Sequence, residues 1–108
     1  MEVINRLTPE ECSNLEDVRS EIDYLDRAVI TLLGKRFKYV LAAARFKTSE
    51  TSVRASERSK ALLAQRREWA KAEGLSPDAI EKLYTDLVQY FIEEEMKRWK
   101  FHQAQNNT

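Results

Sequence analysis

The sequence predicts an all-α fold, a three-helix chain with a long first helix. Three observations predict it. Only two Gly and two Pro occur in 108 residues. Apart from Gly34 they fall at the edges of segments rich in Ala, Leu, Glu, Lys and Arg, the residues that favour helices. Apolar residues recur in alternating steps of three and four, which draws one stripe along a helix. Capping residues stand at the ends of these segments. The chain is 43% hydrophobic and 33% charged, too apolar for a disordered polymer, and its length fits a single domain over residues 1–108.

The first helix is expected over about residues 15–47. Thr8-Pro9-Glu10-Glu11 can form a short turn ahead of it. Ser13 or Asn14 serves as N-cap, and Glu16 and Asp17 suit the positive end of the helix dipole. Its stripe runs Leu15, Val18, Ile22, Leu25, Val29, Leu32, then Tyr39, Ala43 and Phe46. Gly34 lies inside the pattern and costs up to ~1 kcal/mol relative to Ala without ending the helix. The polar run Thr48-Ser49-Glu50-Thr51-Ser52 opens a loop expected over about 48–55. A second helix follows over about 56–72, closed by Gly74. Ser76 caps the third, with Pro77 at its first position. That helix is expected over about 77–102, with its stripe through Ile80, Leu83, Leu87, Phe91, Met96 and Trp99. Residues 103–108 are expected to fray.

Charge and composition exclude several classes. Eighteen basic and eighteen acidic residues cancel, whereas nucleic-acid binders carry a basic excess. One cysteine, Cys12, allows neither an internal disulfide nor a four-cysteine zinc site. No run approaches the ~20 apolar residues of a membrane span. The N-terminus lacks a basic start followed by an apolar stretch, so no signal peptide is expected and the cytoplasm is the expected location. No metal-ligand cluster, glycine-rich phosphate loop or Ser-His-Asp set is visible, and neither Cys12 nor His102 has the neighbours a catalytic role needs.

Helix length carries a further expectation. A rod of about 33 residues is ~50 Å long, whereas a compact chain of ~100 residues has a radius of gyration of only ~13 Å. Two shorter helices cannot cover such a seam. A second copy of the chain can, so a homodimer is expected.

Charged residues on the apolar stripes are the candidate functional groups. Arg36 occupies the seam position after Leu32 and must find an anion or reach solvent. On a continuous helix Lys47, eleven residues on, projects from nearly the same face, and the two cations could converge on a small dianion. Arg19 is ~25 Å from Arg36 along the rod. One ligand could meet both only if Arg19 came from a second chain, giving two equivalent sites per dimer. Glu95 lies on the apolar face of the third helix, with Phe91 and Trp99 four residues to either side. A carboxylate there tends to keep its proton unless a cation pairs with it. Plainer roles stay open. Arg36 can form a structural ion pair or snorkel, and Lys47 can sit at a solvated helix end. Arg19 can pair with Asp23, and Glu95 can pair with Lys97 or Arg98.

Leu15-Glu16-Asp17-Val18-Arg19-Ser20-Glu21-Ile22-Asp23, then Asp26 and Leu32-Leu33-Gly34-Lys35-Arg36, resembles the first helix of the helical chorismate-mutase family. Ala44-Arg45-Phe46-Lys47 with Thr48-Ser49-Glu50, Arg67-Glu68-Trp69-Ala70, Gly74-Leu75 and Ile92-Glu93-Glu94-Glu95-Met96-Lys97-Arg98-Trp99 resemble its isochorismate-pyruvate lyase branch. The resemblance covers residues 9–100.

It implies an intertwined all-helical homodimer, active without cofactor or metal, acting on a small dicarboxylate. Arg36 and Lys47 would serve the site of their own chain and Arg19 the site of the partner. The arginines would grip carboxylates through forked, charge-assisted hydrogen bonds, and Lys47 would lie at the breaking ether bond. The implied reaction turns isochorismate into salicylate and pyruvate; the related mutase reaction turns chorismate into prephenate. One residue departs from the pattern. The family commonly has Gln where this chain has Glu95, and Glu donates a hydrogen bond only when protonated, so an acid-shifted rate optimum is expected. Phe91 stands where some mutases carry a small polar residue, which favours the lyase. Glu57 matches a glutamate that mutases use for a ring hydroxyl and decides nothing. A non-catalytic helical dimerisation module is the reading from a different class; it predicts that Arg36→Ala is neutral or stabilising.

Overall fold

A computed structural model describes residues 2–106. Those residues form helices and connecting turns, with no strand among them. The helices are α1 (Leu15–Ala43), α2 (Glu50–Arg54), α3 (Ser56–Ala72) and α4 (Pro77–Asn106). Compactness divides the chain into two units, Met1–Lys38 and Tyr39–Thr108, with α1 continuing from the first into the second.

In the first unit the N-terminal segment is strapped to α1. The backbone N–H groups of Arg6 and Leu7 both donate to Glu21 Oε1, at 2.7 and 3.0 Å, and the Asn5 side-chain amide donates to the Glu21 carbonyl at 3.3 Å. The Leu7 N–H, with help from Asn5 and Arg6, holds the Glu21 carboxyl below the usual carboxylate range. Pro9–Glu11 forms one 3-10 turn. Thr8 and Glu11 cap it reciprocally, Glu11 N–H donating to Thr8 Oγ1 at 3.3 Å and Thr8 N–H to Glu11 Oε1 at 2.9 Å. Asn14 caps α1, accepting from the Asp17 N–H at 2.8 Å, while Asp17 in turn accepts from the Ser13 N–H at 3.1 Å. These bonds satisfy donors that a helix start leaves without partners. An open groove of about 520 Å³ remains, lined by the apolar side chains of Val3, Ile4, Leu7, Val18, Ile22 and Leu25.

No side chain of α1 is fully buried among the described residues. Its seam stays open: Leu15 is 59% exposed, Ile22 49%, Val29 50% and Tyr39 80%.

The second unit holds the core. Ala44, Val53, Leu62, Ala70, Phe91 and Met96 are buried, and α4 packs against α3, against α2 and against the turn that follows α1. α3 ends at Ala72, and the chain turns at Gly74, whose φ of +75° is open to glycine without strain. Two bonds close the motif, Leu75 N–H to the Ala70 carbonyl at 2.8 Å and Gly74 N–H to the Lys71 carbonyl at 3.1 Å. Ser76 Oγ then accepts from the Ala79 N–H at 3.2 Å to start α4. Arg67 ties the two helices together by donating to Asp78 at 2.8 Å and Glu81 at 3.2 Å.

Three boundaries differ from the sequence-based expectation. The first helix tightens after Ala43 into a 3-10 turn, Ala44–Phe46, and Lys47 is already extended at φ −87°, ψ 141°. The expected loop contains α2, because Ser49 and Ser52 form a capping box that nucleates a turn of helix. α2 and α3 are separated by Ala55 alone, in the left-handed region at φ 43°. At the C-terminus residues 103–106 continue α4 rather than fray, and residues 107–108 lie outside the described residues. No helix of the described residues is long and apolar enough to cross a membrane.

Glu21 gives the strap a pH dependence of known sign. Its carboxyl is depressed in the folded chain, so its contribution is complete above the unfolded value and is lost as pH falls through the folded one. Protection factors at the Arg6 and Leu7 amides, taken relative to the intrinsic exchange rate at each pH, are expected to fall on acidification, and to be low already at neutral pH in Glu21→Ala. Protection at both amides that ignores pH and Glu21 alike would show that another contact holds the segment.

Candidate active site

The structure brings two of the four candidate residues together. Lys47 Nζ lies 3.2 Å from Glu95 Oε2, with side-chain exposures of 25% and 6%. The ammonium also donates to the Ser52 carbonyl at 3.0 Å. The backbone of Lys47 is held as well, its N–H on the Ala44 carbonyl at 3.3 Å and its carbonyl accepting from Trp99 Nε1 at 3.0 Å.

Local sequence explains this placement. The 3-10 turn ends the helix just before Lys47, and the Ser49–Ser52 capping box turns the chain so that the Ser52 carbonyl faces the ammonium. Glu95 is carried in by α4 between two other buried residues of the same helix, Phe91 and Met96. A carboxylate in that setting needs a cation, and Lys47 is that cation. Glu95 thus has a cation beside it, the partner that the apolar setting calls for. Lys97, the alternative partner, pairs with Glu94 at 3.0 Å instead.

The other two candidates belong to the first unit. Arg19 is exposed on α1 and Arg36 is half-buried on it. No ion pair joins Arg19 to Asp23 among the described residues. The expectation that Arg36 and Lys47 share a face assumed one continuous helix through residue 47. That step is corrected: the 3-10 turn and the extended Lys47 break the periodicity on which it rested.

With this geometry in view, comparison with known proteins decides the family. Residues 18–96 match the family model described as chorismate mutase type II. The chain belongs to the type II chorismate mutase family. It is 41% identical over 93 residues to an isochorismate pyruvate lyase of Pseudomonas aeruginosa, a match covering 86% of this chain and 92% of the relative. It is also 40% identical over 81 residues to a T-protein of Haemophilus influenzae, covering 74% of this chain but 20% of that longer protein.

Two residues of this chain escaped sequence reasoning. Ser52 contributes through its carbonyl, which no residue type announces. Trp99 stands four residues after Glu95 on one stripe; the spacing was legible, but its use as a donor was not. Glu57 is exposed and pairs with Lys60 at 3.8 Å, while Phe91 is buried. Cys12 is half-buried, and burial, reinforced by the Asp17 and Glu21 carboxylates, pushes its thiol up, away from the reactive thiolate.

Proposed function

We propose that this chain is an isochorismate-pyruvate lyase, converting isochorismate into salicylate and pyruvate. The observation that carries the reading is the 41% identity to a lyase of that name across 92% of its length. The ion-paired Lys47, a quarter exposed, supports it. The family model's own description, chorismate mutase type II, favours the second reading, conversion of chorismate to prephenate.

In the lyase reaction the ether carbon–oxygen bond breaks while a ring hydrogen moves to the methylene carbon of the enolpyruvyl group. The ring becomes aromatic and the departing group is pyruvate. Electrons and proton travel together around the ring of reacting atoms, so neither a nucleophile nor a general base is called for. The protein contributes a compact substrate conformer and cationic stabilisation of the ether oxygen. Lys47 is the cation at that oxygen. Arg36 and Arg19 hold the two carboxylates, Arg19 reaching the site of a second chain in a homodimer. The open α1 seam supports the dimer, and the dicarboxylate substrate supports the arginines. Each chain then acts as one domain over residues 1–108, in the cytoplasm, with neither nucleic acid nor membrane as partner.

Glu95 modulates Lys47. An ionised carboxylate 3.2 Å away offsets much of the ammonium's field, and a carboxylate can only accept where the amide of Gln would also donate.

Three outcomes are expected. Purified protein supplied with isochorismate produces salicylate, read by its fluorescence; prephenate from chorismate with no salicylate from isochorismate would establish the second reading. Arg19→Ala and Arg36→Ala each lose roughly 10- to 100-fold in kcat/KM, since charge-assisted hydrogen bonds are removed. Refolding the two variants together in equal amounts restores about a quarter of wild-type activity, because half the dimers are mixed and each mixed dimer has one intact site. No restoration would place Arg19 in its own chain's site. Glu95→Gln is expected to raise the neutral-pH rate of salicylate formation, and an unchanged rate would remove Glu95 from the mechanism.

A further inference from the structure

We propose that Trp99 is a positioning residue for Lys47, acting through the backbone carbonyl that its indole N–H engages. This inference rests on the assignment of Lys47 to the substrate's ether oxygen.

Lys47 follows the last residue of a 3-10 turn and precedes the α2 capping box, so it forms the hinge between two short pieces of structure. Such a residue has no regular hydrogen-bond ladder to fix its φ and ψ. Its carbonyl would point to water or swing if left alone. Trp99 Nε1 meets that carbonyl at 3.0 Å across 52 residues of sequence. The same helix meets the other end of the residue: Glu95, one turn earlier on α4, takes the ammonium at 3.2 Å. α4 therefore grips Lys47 at both ends, main chain and side chain, from two positions four residues apart on one face. The Ser52 carbonyl supplies a third anchor at 3.0 Å.

The two α4 contacts have different fates when substrate arrives. The Glu95 and Ser52 contacts occupy the ammonium and must be loosened or shared if it is to serve an ether oxygen. The indole contact involves only the carbonyl and persists throughout. It fixes where the side chain originates while the ammonium changes partners. Indole is suited to this because its N–H is a donor only and cannot compete for the ammonium. Phe deletes the donor and keeps an aromatic ring, though a smaller one than indole, so the double-variant comparison and the exchange readout separate the hydrogen bond from lost packing.

The test measures kcat and KM for salicylate formation in wild type, Trp99→Phe, Lys47→Ala and the double variant, with amide exchange over residues 47–54 and the melting temperature alongside. Trp99→Phe is expected to lower kcat roughly 3- to 10-fold, the range of one neutral hydrogen bond, with KM little changed. It should accelerate exchange over residues 47–54 and leave the melting temperature close to wild type. In the Lys47→Ala background the same substitution should change kcat less than about twofold, because residues that act through one another are not additive. Equal losses in both backgrounds, or unaltered exchange over 47–54, would overturn the positioning role while leaving Lys47 in place. Wild-type salicylate formation by Lys47→Ala would overturn the assignment of Lys47 itself, and the role of Trp99 with it.

Discussion

A carboxylate seated on the apolar face of a helix cannot be left unmatched. Transferring an ionised group out of water costs several kcal/mol even after the surroundings relax, and Glu95 is only 5% exposed between Phe91 and Met96. Lys47 is the group that meets this demand. It can do so because the chain leaves the α-helix at Ala43, tightens into a 3-10 turn and reaches Lys47 in an extended conformation. The short α2 helix then presents the Ser52 carbonyl, and Trp99 takes up the Lys47 carbonyl. The break in the first helix, the folded 48–55 segment and the register of α4 all serve one pair of charges.

The first unit is organised by the opposite circumstance. α1 has a regular apolar seam with nothing fully buried along it, although burying a Leu, Ile or Val side chain is worth about 1.5–3 kcal/mol. A helix of 29 residues is also ~43 Å long. A seam of that length is the kind of surface a second copy would bury, and the proposed dimer follows from it. The Glu21 strap has a related effect. By holding residues 5–7 against α1 it keeps Val3, Ile4 and Leu7 along the seam and widens the apolar surface available to a partner.

The helices were legible in the sequence because period and caps are local. Asn14, Ser76, Pro77 and Gly74 mark their boundaries by chemistry that acts within a few residues. Arg36 and Glu95 stood out for a similar reason, as charges interrupting apolar stripes. What the stripes could not convey was the end of the first helix. Tyr39, Ala43 and Phe46 continue its period, and the switch to a 3-10 turn follows from packing against α4, a contact far away in sequence. The 48–55 segment was misread because its Ser and Thr residues favour loops on average, whereas Ser49 and Ser52 at a spacing of three can cap a helix. The partner of Glu95 lies 48 residues away, and nothing in either local pattern pairs them.

A carboxylate at position 95, where the family resemblance implies an amide, has a consequence for how the proposed site is balanced. With Gln there, the lysine would carry its full charge to the ether oxygen and the amide could add a second donor. With Glu, an acidic group stands 3.2 Å from the Lys47 nitrogen in a place with little water, where opposite charges attract most strongly. That favours the stability of the empty site, since Glu95 is matched and Lys47 is held. Under the proposed role of Lys47 it would work against catalysis, because an oxygen gaining negative charge would have to draw the ammonium away from a neighbour that holds it. The reaction then gains only the difference between the two interactions, as catalysis always does. In the proposed positioning role, the indole of Trp99 would lower the cost of that exchange. With the backbone of Lys47 fixed, moving the ammonium from carboxylate to ether oxygen is a rotation about side-chain bonds, not a rearrangement of the 47–54 segment.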